Sequence, residues 1–269
     1  MTNPAHPATT PAAAPDLPRL LEALVPLVRA AGDVIMTIYA TDFDVTQKGD
    51  ASPVTAADQQ AEAVILDGLQ KLAPGIPVVA EEAVAAGQIP EVGQYFFLVD
   101  PLDGTKEFIS RNGEFTVNIA LVDGGKPVLG LVYAPAIGRL FAGAQGVGAW
   151  VEDASGRRAI ATRDVPAAGL TVVASRSHGD ETALDAFLAG RTVASRTNAG
   201  SSLKLCLVAE GAADVYPRLG RTMEWDIAAG DAVLRAAGGI VNTVAGPVLQ
   251  YGKPGFDNPH FAAWGRAGA

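Results

Sequence analysis

Two aspartates at the end of an apolar run are the first residues in this sequence whose types and spacing could do chemistry. Residues 99–108 read VDPLDGTKEF, which places Asp100 and Asp103 three positions apart. Carboxylates that follow a buried strand without a basic partner are costly, and such groups usually bind a metal. Because no Cys or His pair lies nearby, ligation by oxygen alone favours Mg²⁺ over zinc.

The residues between and after the two aspartates suit a phosphate site. Pro101 fixes φ and removes a donor, so it can bend the chain until both carboxylates face one point. The same bend can turn the Leu102 carbonyl inward as a further ligand. Gly104 permits close backbone approach, and the amides that follow, with the Thr105 hydroxyl, can hold an oxyanion. A metal on one side and amides on the other predict a phosphate site.

Two further acidic sites lie beside apolar segments. Glu81 and Glu82 end a short apolar stretch, and Asp226 stands between Trp225 and Ile227. A lone acidic residue is usually a solvated charge or a helix N-cap. The apolar context of these residues favours a share in the same metal site instead.

Composition limits the classes of partner. The chain has 269 residues and a formal net charge of −9, which argues against binding nucleic acid because no large basic field exists to neutralise phosphates. A bound cation would therefore have to attract an anionic substrate. The single cysteine, Cys206, excludes an intramolecular disulfide and fits a reducing cytosol. Its apolar neighbours predict a core residue, and no apolar run reaches the ~18 to 20 residues of a membrane span.

Residue spacing excludes or disfavours three other chemistries. A haloacid-dehalogenase-type phosphatase needs two Asp separated by one residue, whereas two residues separate Asp100 from Asp103. No Gly-x-x-x-x-Gly-Lys-Ser/Thr loop is present, which excludes a P-loop NTPase. The histidines are His6, His178 and His260. A Ser-His-acid triad would have to use one of the last two, and neither has a convincing nucleophile-elbow serine.

Periodicity predicts the elements that must position these residues. Helical spacing predicts helices at 17–38, with Pro26 as a kink, and at 57–72. Alternation predicts a hairpin that turns at 48–50, strands at 77–80 and 95–99, and antiparallel strands at 114–122, 127–133, 140–142 and 149–151. After residue 165, strands at 170–174, 192–194, 214–216 and 240–241 alternate with helices at 181–188, 201–209 and 227–237, which indicates an α/β second half.

The pattern divides the chain into three parts. Residues 1–16 are rich in Pro, Ala and Thr without a basic start, which predicts a disordered tail and not a signal peptide. Residues 17–164 form an N-terminal α+β domain with an antiparallel sheet, and residues 165–269 form a C-terminal α/β domain.

Four motifs in fixed order resemble the inositol monophosphatase superfamily. They are Asp58 within SPVTAAD, the Glu81-Glu82 pair, DPLDGT at 100–105, and WDIAAG at 225–230. The resemblance extends from about Leu20 to Phe261. It implies a mixed α+β and α/β fold, a layered αβαβα sandwich of the sugar-phosphatase type, with the metals between its two parts.

Within that superfamily, residues 106–119 resemble the CysQ type of 3′(2′),5′-bisphosphate nucleotidase, as do residues 175–178, 200–204 and 216–218. The resemblance implies Mg²⁺-dependent hydrolysis of the 3′-phosphate of adenosine 3′,5′-bisphosphate to AMP and phosphate. It extends by analogy to 3′-phosphoadenylyl sulfate, to sulfur assimilation and to inhibition by lithium. An inositol- or sugar-phosphate monoesterase using the same metals stays open as the alternative.

The resemblance also assigns residue roles. Glu81, Asp100 and the Leu102 carbonyl would hold one Mg²⁺; Asp100, Asp103 and Asp226 would hold a second, and a third ion would bind weakly near Glu81. Asp58 and Thr105, with Glu81, would act on the attacking water. The substrate would contact Glu81, Leu102, Asp103, Gly104, Thr105, Ser175, His178, Ser201, Ser202, Lys204, Arg218 and Asp226.

Arg218 stands where inositol enzymes usually carry a carboxylate, and an arginine there suits a second phosphate. Glu224 is a candidate sugar contact, with helix capping as the alternative. Glu82 and Glu107 could support the site or lie on the surface. The expected partner is a small-molecule nucleotide, with no nucleic acid and no integral membrane segment. The chain would be a monomer or homodimer, in the cytoplasm or peripheral to the inner membrane.

Overall fold

The computed structural model describes residues 14–47, 53–175 and 181–266. Its helices are α1 (Leu17–Tyr39), α2 (Ala56–Leu72), α3 (Glu81–Ala85), α4 (Thr105–Ile109), α5 (Glu181–Leu188), α6 (Leu203–Ala209) and α7 (Glu224–Ala236). Short 3-10 turns occur at Pro135–Ile137 and Pro254–Phe256. The strands are β1 (Thr46–Gln47), β2 (Pro53–Val54), β3 (Val78–Ala80), β4 (Tyr95–Asp103), β5 (Thr116–Asp123), β6 (Lys126–Ala134), β7 (Arg139–Ala144), β8 (Gly148–Asp153), β9 (Gly156–Ile160), β10 (Leu170–Ser175), β11 (Val193–Ala199), β12 (Val215–Arg218), β13 (Ile240–Thr243) and β14 (Phe261–Trp264).

The larger sheet has seven strands in chain order from β3 to β9. Its pairs are antiparallel except β3 and β4, which run parallel. The predicted hairpin between β5 and β6 turns at Gly124 and Gly125, whose φ angles of 53° and 81° are those that a two-residue turn of this hand requires. Most of the antiparallel sheet predicted for the first half is therefore confirmed, and β9 is an addition.

The smaller sheet has the order β11-β10-β12-β14-β13. β10 runs parallel to β11 and β12, whereas β14 runs antiparallel to both of its neighbours. Four of its strands come from the predicted alternation of strand and helix, and one of these, β11, continues to Ala199, beyond its predicted end. The sequence pattern gave no strand at β14, which lies in the middle of this sheet.

The elements stack in five layers. α1 and α2 pack on one face of the seven-stranded sheet, and α6 and α7 pack on its other face. The five-stranded sheet covers α6 and α7, and α5 covers its outer face through Leu184 and Leu188. Each sheet is thus covered on both faces, and the predicted αβαβα sandwich is confirmed. Cys206 is buried in the layer between the sheets, as predicted, and burial raises the pKa of its thiol well above its usual value.

A close approach holds α7 against the larger sheet. A side chain at Gly130 of β6 would place its first carbon 2.2 Å from the carbonyl oxygen of Ala229. Only glycine permits this distance, so the helix lies almost in contact with the strand backbone. This contact fixes the depth at which the first turn of α7, with Asp226, lies between the sheets.

The structure also corrects several element boundaries. β4 does not end at Val99 but continues to Asp103, and α7 begins at Glu224 instead of residue 227. β1 and β2 form an antiparallel pair as predicted, although the turn at 48–50 lies outside the described residues. The same is true of residues 1–13 of the predicted tail. The larger sheet ends at Ile160 and the smaller begins at Leu170, while the division at 164 stays a prediction.

Candidate active site

A β-bulge in β4 presents the two aspartates. Asp100 pairs with Asn118 and Asp103 pairs with Thr116, so two residues of β4 lie opposite one residue of β5. Pro101 occupies the bulge, where a missing N–H costs no ladder hydrogen bond. The amide of Leu102 donates to Asp100 Oδ1 at 3.0 Å, which fixes that carboxylate against the bulge. The bend expected from proline is therefore a bulge within a continuing strand, and it re-aims the side chains at the strand's end.

Gly104 turns the chain from β4 into α4. Its φ of 89° lies in the left-handed region, which favours glycine. Thr105 then begins the helix, and its hydroxyl lies 3.3 Å from Asp58 Oδ1 and 3.4 Å from the Leu102 carbonyl. The phosphate loop predicted from the sequence therefore has the required turn, with the Thr105 hydroxyl between two oxygen acceptors.

Asp58 is held by its own helix. It is buried, and its Oδ2 accepts hydrogen bonds of 2.8 Å from both the amide and the hydroxyl of Thr55, the N-cap of α2. This reciprocal cap leaves Oδ1 to face Thr105. The structure thus brings together Asp58 and Thr105, which the resemblance pairs as the groups acting on water.

A cavity of about 320 Å³ lies beside these residues, between the two sheets. It is lined from the first half of the chain by Glu81, Asp103, Gly104, Thr105, Lys106 and Glu107. The second half lines it with Ser175, Ser201, Ser202, Lys204, Leu205, Tyr216, Arg218, Arg221, Thr222, Met223, Trp225, Asp226 and Ile227. Every predicted substrate contact among the described residues lines it except Leu102. His178 lies outside the described residues.

Three carboxylates crowd one side of the cavity. Burial, together with the charges of Glu107 and Glu81 and against the opposing charge of Lys204, raises the pKa of Asp103 to about 6. Burial and the charges of Asp103 and Glu81 raise the pKa of Asp226 well above its usual value. Like charges held in this way repel each other, and a divalent cation between them would relieve the repulsion.

The donor set fits Mg²⁺. Among the described residues, no group of three or more His, Cys, Asp or Glu side chains is already arranged around a metal position. The acidic and hydroxyl groups that line the cavity offer only oxygen ligands, and two of them are buried acids with raised pKa values. Hard oxygen ligands of this kind suit Mg²⁺.

Cationic side chains from the second half of the chain form another wall of the cavity. Lys204 is buried, which lowers its pKa to about 8; its Nζ donates to the carbonyls of Ser201, at 2.5 Å, and Ala199, at 3.4 Å. Those bonds hold Ser201 in an unusual backbone conformation, with φ 43°. The Ser201 hydroxyl is buried without a hydrogen-bond partner in the described part of the chain. A buried hydroxyl left unpaired beside a cavity is costly unless a ligand binds it.

Arg218 is the clearest candidate for a binding group on this wall. Its Nη2 donates to the Arg221 carbonyl at 2.7 Å, whereas its Nε is buried and finds no acceptor among the described residues. Arg221 also lines the cavity, at its rim, and donates from Nε to Asp257 at 3.1 Å. The sequence reasoning missed Arg221, although its position three residues after Arg218 was a usable signal.

Asn118 is a second residue that the sequence reasoning missed. It is fully buried on β5, and its Nδ2 lies 3.1 Å from Ser202 Oγ and 3.5 Å from both Asp103 Oδ2 and the Asp226 carbonyl. Ser202 in turn donates to the Asp226 carbonyl. Asn118 and Ser202 therefore connect the acidic side of the cavity to α7. The signal was a polar residue inside an apolar strand.

The structure bears on the alternatives that the sequence left open for three glutamates. Glu224 contacts no sugar site: its carboxylate is fully buried and accepts from the amides of Gly252 and Lys253 and from Lys253 Nζ. Glu107 is not on the surface but buried beside the cavity, where it interacts with Lys204. Glu82 is half-buried, and its amide donates to Glu62 at 2.7 Å.

The layered fold and the acid-lined cavity define a phosphatase that works with a metal. A sequence profile of the inositol monophosphatase family matches residues 16–265. The chain is 50% identical over 245 residues to the 3′(2′),5′-bisphosphate nucleotidase CysQ of Shigella flexneri, covering 90% of this chain and 98% of that protein. It is 49% identical to the protein of the same name from Escherichia coli strain K12, with the same coverage.

Solved structures of similar proteins indicate the same family. CysQ from Bacteroides thetaiotaomicron, described as a bacterial member of the inositol monophosphatase family, superposes with a TM-score of 0.79 at 35% identity, covering 94% of this chain and 99% of that one. Inositol monophosphatase from Anabaena gives a TM-score of 0.75 at 27% identity, covering 94% and 93%. This chain belongs to the inositol monophosphatase family, whose members are metal-dependent phosphatases that generally use Mg²⁺. No helix in the described residues is long and apolar enough to cross a membrane.

Proposed function

We propose that this chain is an Mg²⁺-dependent 3′(2′),5′-bisphosphate nucleotidase. It removes the 3′-phosphate of adenosine 3′,5′-bisphosphate to give AMP and phosphate, and it acts on 3′-phosphoadenylyl sulfate in the same way. The names of the relatives at about 50% identity support this substrate class. In sulfur assimilation, such an activity clears the bisphosphate nucleotide.

The observation that carries the proposal is the cationic wall of the cavity that the carboxylates also line. A monophosphate needs only the metal and the amides of the phosphate loop. Arg218, whose Nε is buried and finds no acceptor among the described residues, and Lys204 add positive charge to the same cavity. Guanidinium groups bind phosphate through charge-assisted hydrogen bonds. Two anionic groups on one small molecule match this arrangement.

The residues of the chain divide the hydrolysis among them. Glu81, Asp100, the Leu102 carbonyl, Asp103 and Asp226 would hold Mg²⁺, which supplies Lewis acidity and a bound water of lowered pKa. The Thr105 hydroxyl donates to Asp58, so its oxygen can accept a hydrogen bond from the attacking water. Asp58 thereby orients the water through Thr105. The amides of Gly104 and Thr105 face the phosphoryl oxygens, and attack in line with the leaving ribose oxygen needs no covalent enzyme intermediate.

Phosphate release from three substrates tests the proposal. Purified protein with Mg²⁺ should hydrolyse adenosine 3′,5′-bisphosphate with a higher kcat/KM than inositol 1-phosphate or 3′-AMP, which lacks the second phosphate. A clear preference for inositol 1-phosphate would favour the sugar-phosphate alternative and contradict the nucleotidase proposal. The number of ions, the cytoplasmic or membrane-peripheral location, and the monomeric or dimeric state stay predictions.

A further inference from the structure

Residues 250–258, here called the clamp segment, lie against the start of α7. Gly252, Gly255 and Phe256 of this segment have φ angles of 83°, 78° and 58°, so the chain is tightly turned there. The amide of Tyr251 donates to the Gly125 carbonyl at 3.0 Å. The segment is thus anchored on the hairpin turn between β5 and β6, and it reaches α7 from there.

A buried ion pair joins the clamp segment to α7. Lys253 Nζ lies 2.5 Å from Glu224 Oε1, and the amides of Gly252 and Lys253 donate to the same carboxylate at 2.7 and 2.9 Å. The Glu224 side chain is 0% exposed and the Lys253 side chain 27% exposed. A buried carboxylate with three such donors is fully compensated, whereas loss of the cation would leave it costly.

The contacts continue into the cavity wall. Lys253 Nζ also donates to Asn258 Oδ1 at 3.2 Å, and Asn258 Nδ2 donates to the Met223 carbonyl at 2.7 Å. The Met223 amide donates to Asp226 Oδ2 at 2.9 Å. Phe256 packs on Trp225 with ring centroids 6.0 Å apart. Met223, Trp225 and Asp226 all line the cavity, so the clamp segment contacts the outer side of the same wall.

Electrostatic repulsion acts on this part of the cavity wall. Asp226 lies buried near the charges of Asp103 and Glu81, and moving the first turn of α7 outward would relieve their repulsion. Such a movement would misplace Asp226 as a ligand. Groups that hold metal ligands in place from behind change metal affinity without touching the metal.

We propose that Lys253 and Asn258 are positioning residues that hold residues 222–226 in place for Mg²⁺ and substrate binding. Glu224 is the anchor on α7 through which Lys253 acts. The proposal rests on the proposed function, but it concerns the metal-binding geometry of this chain. It explains why the acid directly before the Trp-Asp motif is fully buried at the edge of an active site that it does not enter.

The chain offers a matched control on the same helix. Arg235 forms an ion pair with Asp231, which lies about two turns after Glu224 on α7. The Arg235 side chain is 23% exposed and the Asp231 side chain is 0% exposed. Asp231 also accepts from the Tyr251 hydroxyl at 2.8 Å. Lys253→Met and Arg235→Met therefore each remove a partly buried cation from a fully buried carboxylate of α7. Only the first removal releases the cavity wall.

The test compares Mg²⁺ binding in the two variants. Chelator-treated protein is titrated with Mg²⁺ while the melting temperature is followed, and kcat and KM are measured at saturating Mg²⁺. Lys253→Met should raise the Mg²⁺ concentration for half-maximal stabilisation by about tenfold, whereas Arg235→Met should change it less than about twofold. Lys253→Arg should restore much of the affinity. Asn258→Ala, which keeps the ion pair, should produce a smaller shift in the same direction.

Equal Mg²⁺ affinities for the Lys253→Met and Arg235→Met variants would overturn the proposal and leave Lys253 with a purely stabilising role. If Lys253→Met does not fold, Asn258→Ala decides: an unchanged Mg²⁺ affinity contradicts the proposal. The titration separates this inference from the proposed function. A wild-type protein that binds Mg²⁺ yet prefers inositol 1-phosphate refutes the nucleotidase proposal, whereas the affinity comparison still decides the positioning claim.

Discussion

The two sides of the cavity are built in opposite ways. The acidic side, residues 100–105 with Asp58, takes its shape from local devices: a bulge at Pro101, a left-handed Gly104 and a helix cap at Thr55. The cationic side, residues 199–223, takes its shape from contacts with remote segments, such as the clamp segment and Asn118. The residues proposed for catalysis are therefore positioned largely by local sequence, whereas the residues proposed to select the substrate are positioned by tertiary packing.

The two sides also differ in charge. After burial, the charge of Glu81 raises the pKa of Asp103, and the charges of Asp103 and Glu81 raise the pKa of Asp226. Burial instead lowers the pKa of Lys204 in the same cavity. A chain with a net charge of −9 thus keeps positive side chains where a second phosphate would lie. Changes on the acidic side should abolish turnover, and changes on the cationic side should alter substrate preference.

Asp100→Asn should have the largest effect because it removes the carboxylate proposed to bridge two ions. We expect kcat to fall by about 10⁴-fold, since loss of the metal position removes several kcal/mol of transition-state stabilisation. Phosphate release at saturating Mg²⁺ measures the loss, with Asp67→Asn on the exposed Lys71 pair as the control. Activity within tenfold of wild type would refute the metal scheme.

Thr105→Val should follow. The substitution keeps the shape of the side chain but removes the hydroxyl that faces Asp58. Loss of an oriented proton acceptor typically costs about 10²- to 10³-fold in kcat. Thr105→Ser should recover most of the rate and thereby separate chemistry from packing. Equal rates for the valine and serine variants would exclude the hydroxyl from the reaction.

The acidic side should also make the metal-free protein less stable as pH rises. The pKa of Asp103 is raised from 3.8 to about 6 by burial first and then by neighbouring carboxylates. The folded state therefore binds more protons than the unfolded state between these values. The stability present below pH 4 is lost as pH rises through 6. The loss is on the order of 3 kcal/mol, at about 1.4 kcal/mol per pKa unit.

Denaturant unfolding of wild type and Asp103→Asn, each with a chelator at pH 4 and pH 7, measures this loss. The pKa values of Asp153 and Asp214 are lowered, so those groups change stability in the opposite direction, and only the difference between the two proteins isolates Asp103. Mg²⁺ should restore wild-type stability at pH 7 more than at pH 4. If the difference in unfolding free energy between the two proteins did not depend on pH, the pKa of Asp103 would not be raised in the folded state.

The same contrast explains what the sequence could predict. α1 and α2 show strong helical periodicity, and the motif residues 100–105 are consecutive. Both the two helices and the motif can therefore be predicted from the sequence. β14 is a short apolar segment whose place between β12 and β13 depends on pairing with strands far away in the chain, and no local signal reveals that pairing. β4 continues through Pro101 because a bulge tolerates proline, which a simple rule for strand ends misses.

The site shows the same division. The order of the motifs predicts the acidic residues and Thr105. It does not predict the burial of Glu224 against Lys253, because the two residues lie 29 positions apart in the sequence. Asn118 and Arg221 had weak signals. One is a polar residue inside an apolar strand, and the other is a second arginine close to the first.

The smallest effects should come from the cationic side, where two arginines can be compared. Arg218 has a buried, unpartnered Nε, whereas Arg221 lies at the rim, 69% exposed and paired with Asp257. Arg218→Met should raise KM for adenosine 3′,5′-bisphosphate about tenfold or more, the loss of a hydrogen bond to a charged group. Arg221→Met should raise it by less than about fivefold, as exposed ion pairs contribute little. Neither should change KM for 3′-AMP, which lacks the second phosphate. If Arg218→Met raised KM equally for both substrates, Arg218 would contact the 3′-phosphate. The acidic side could then no longer be assigned to catalysis alone and the cationic side to specificity.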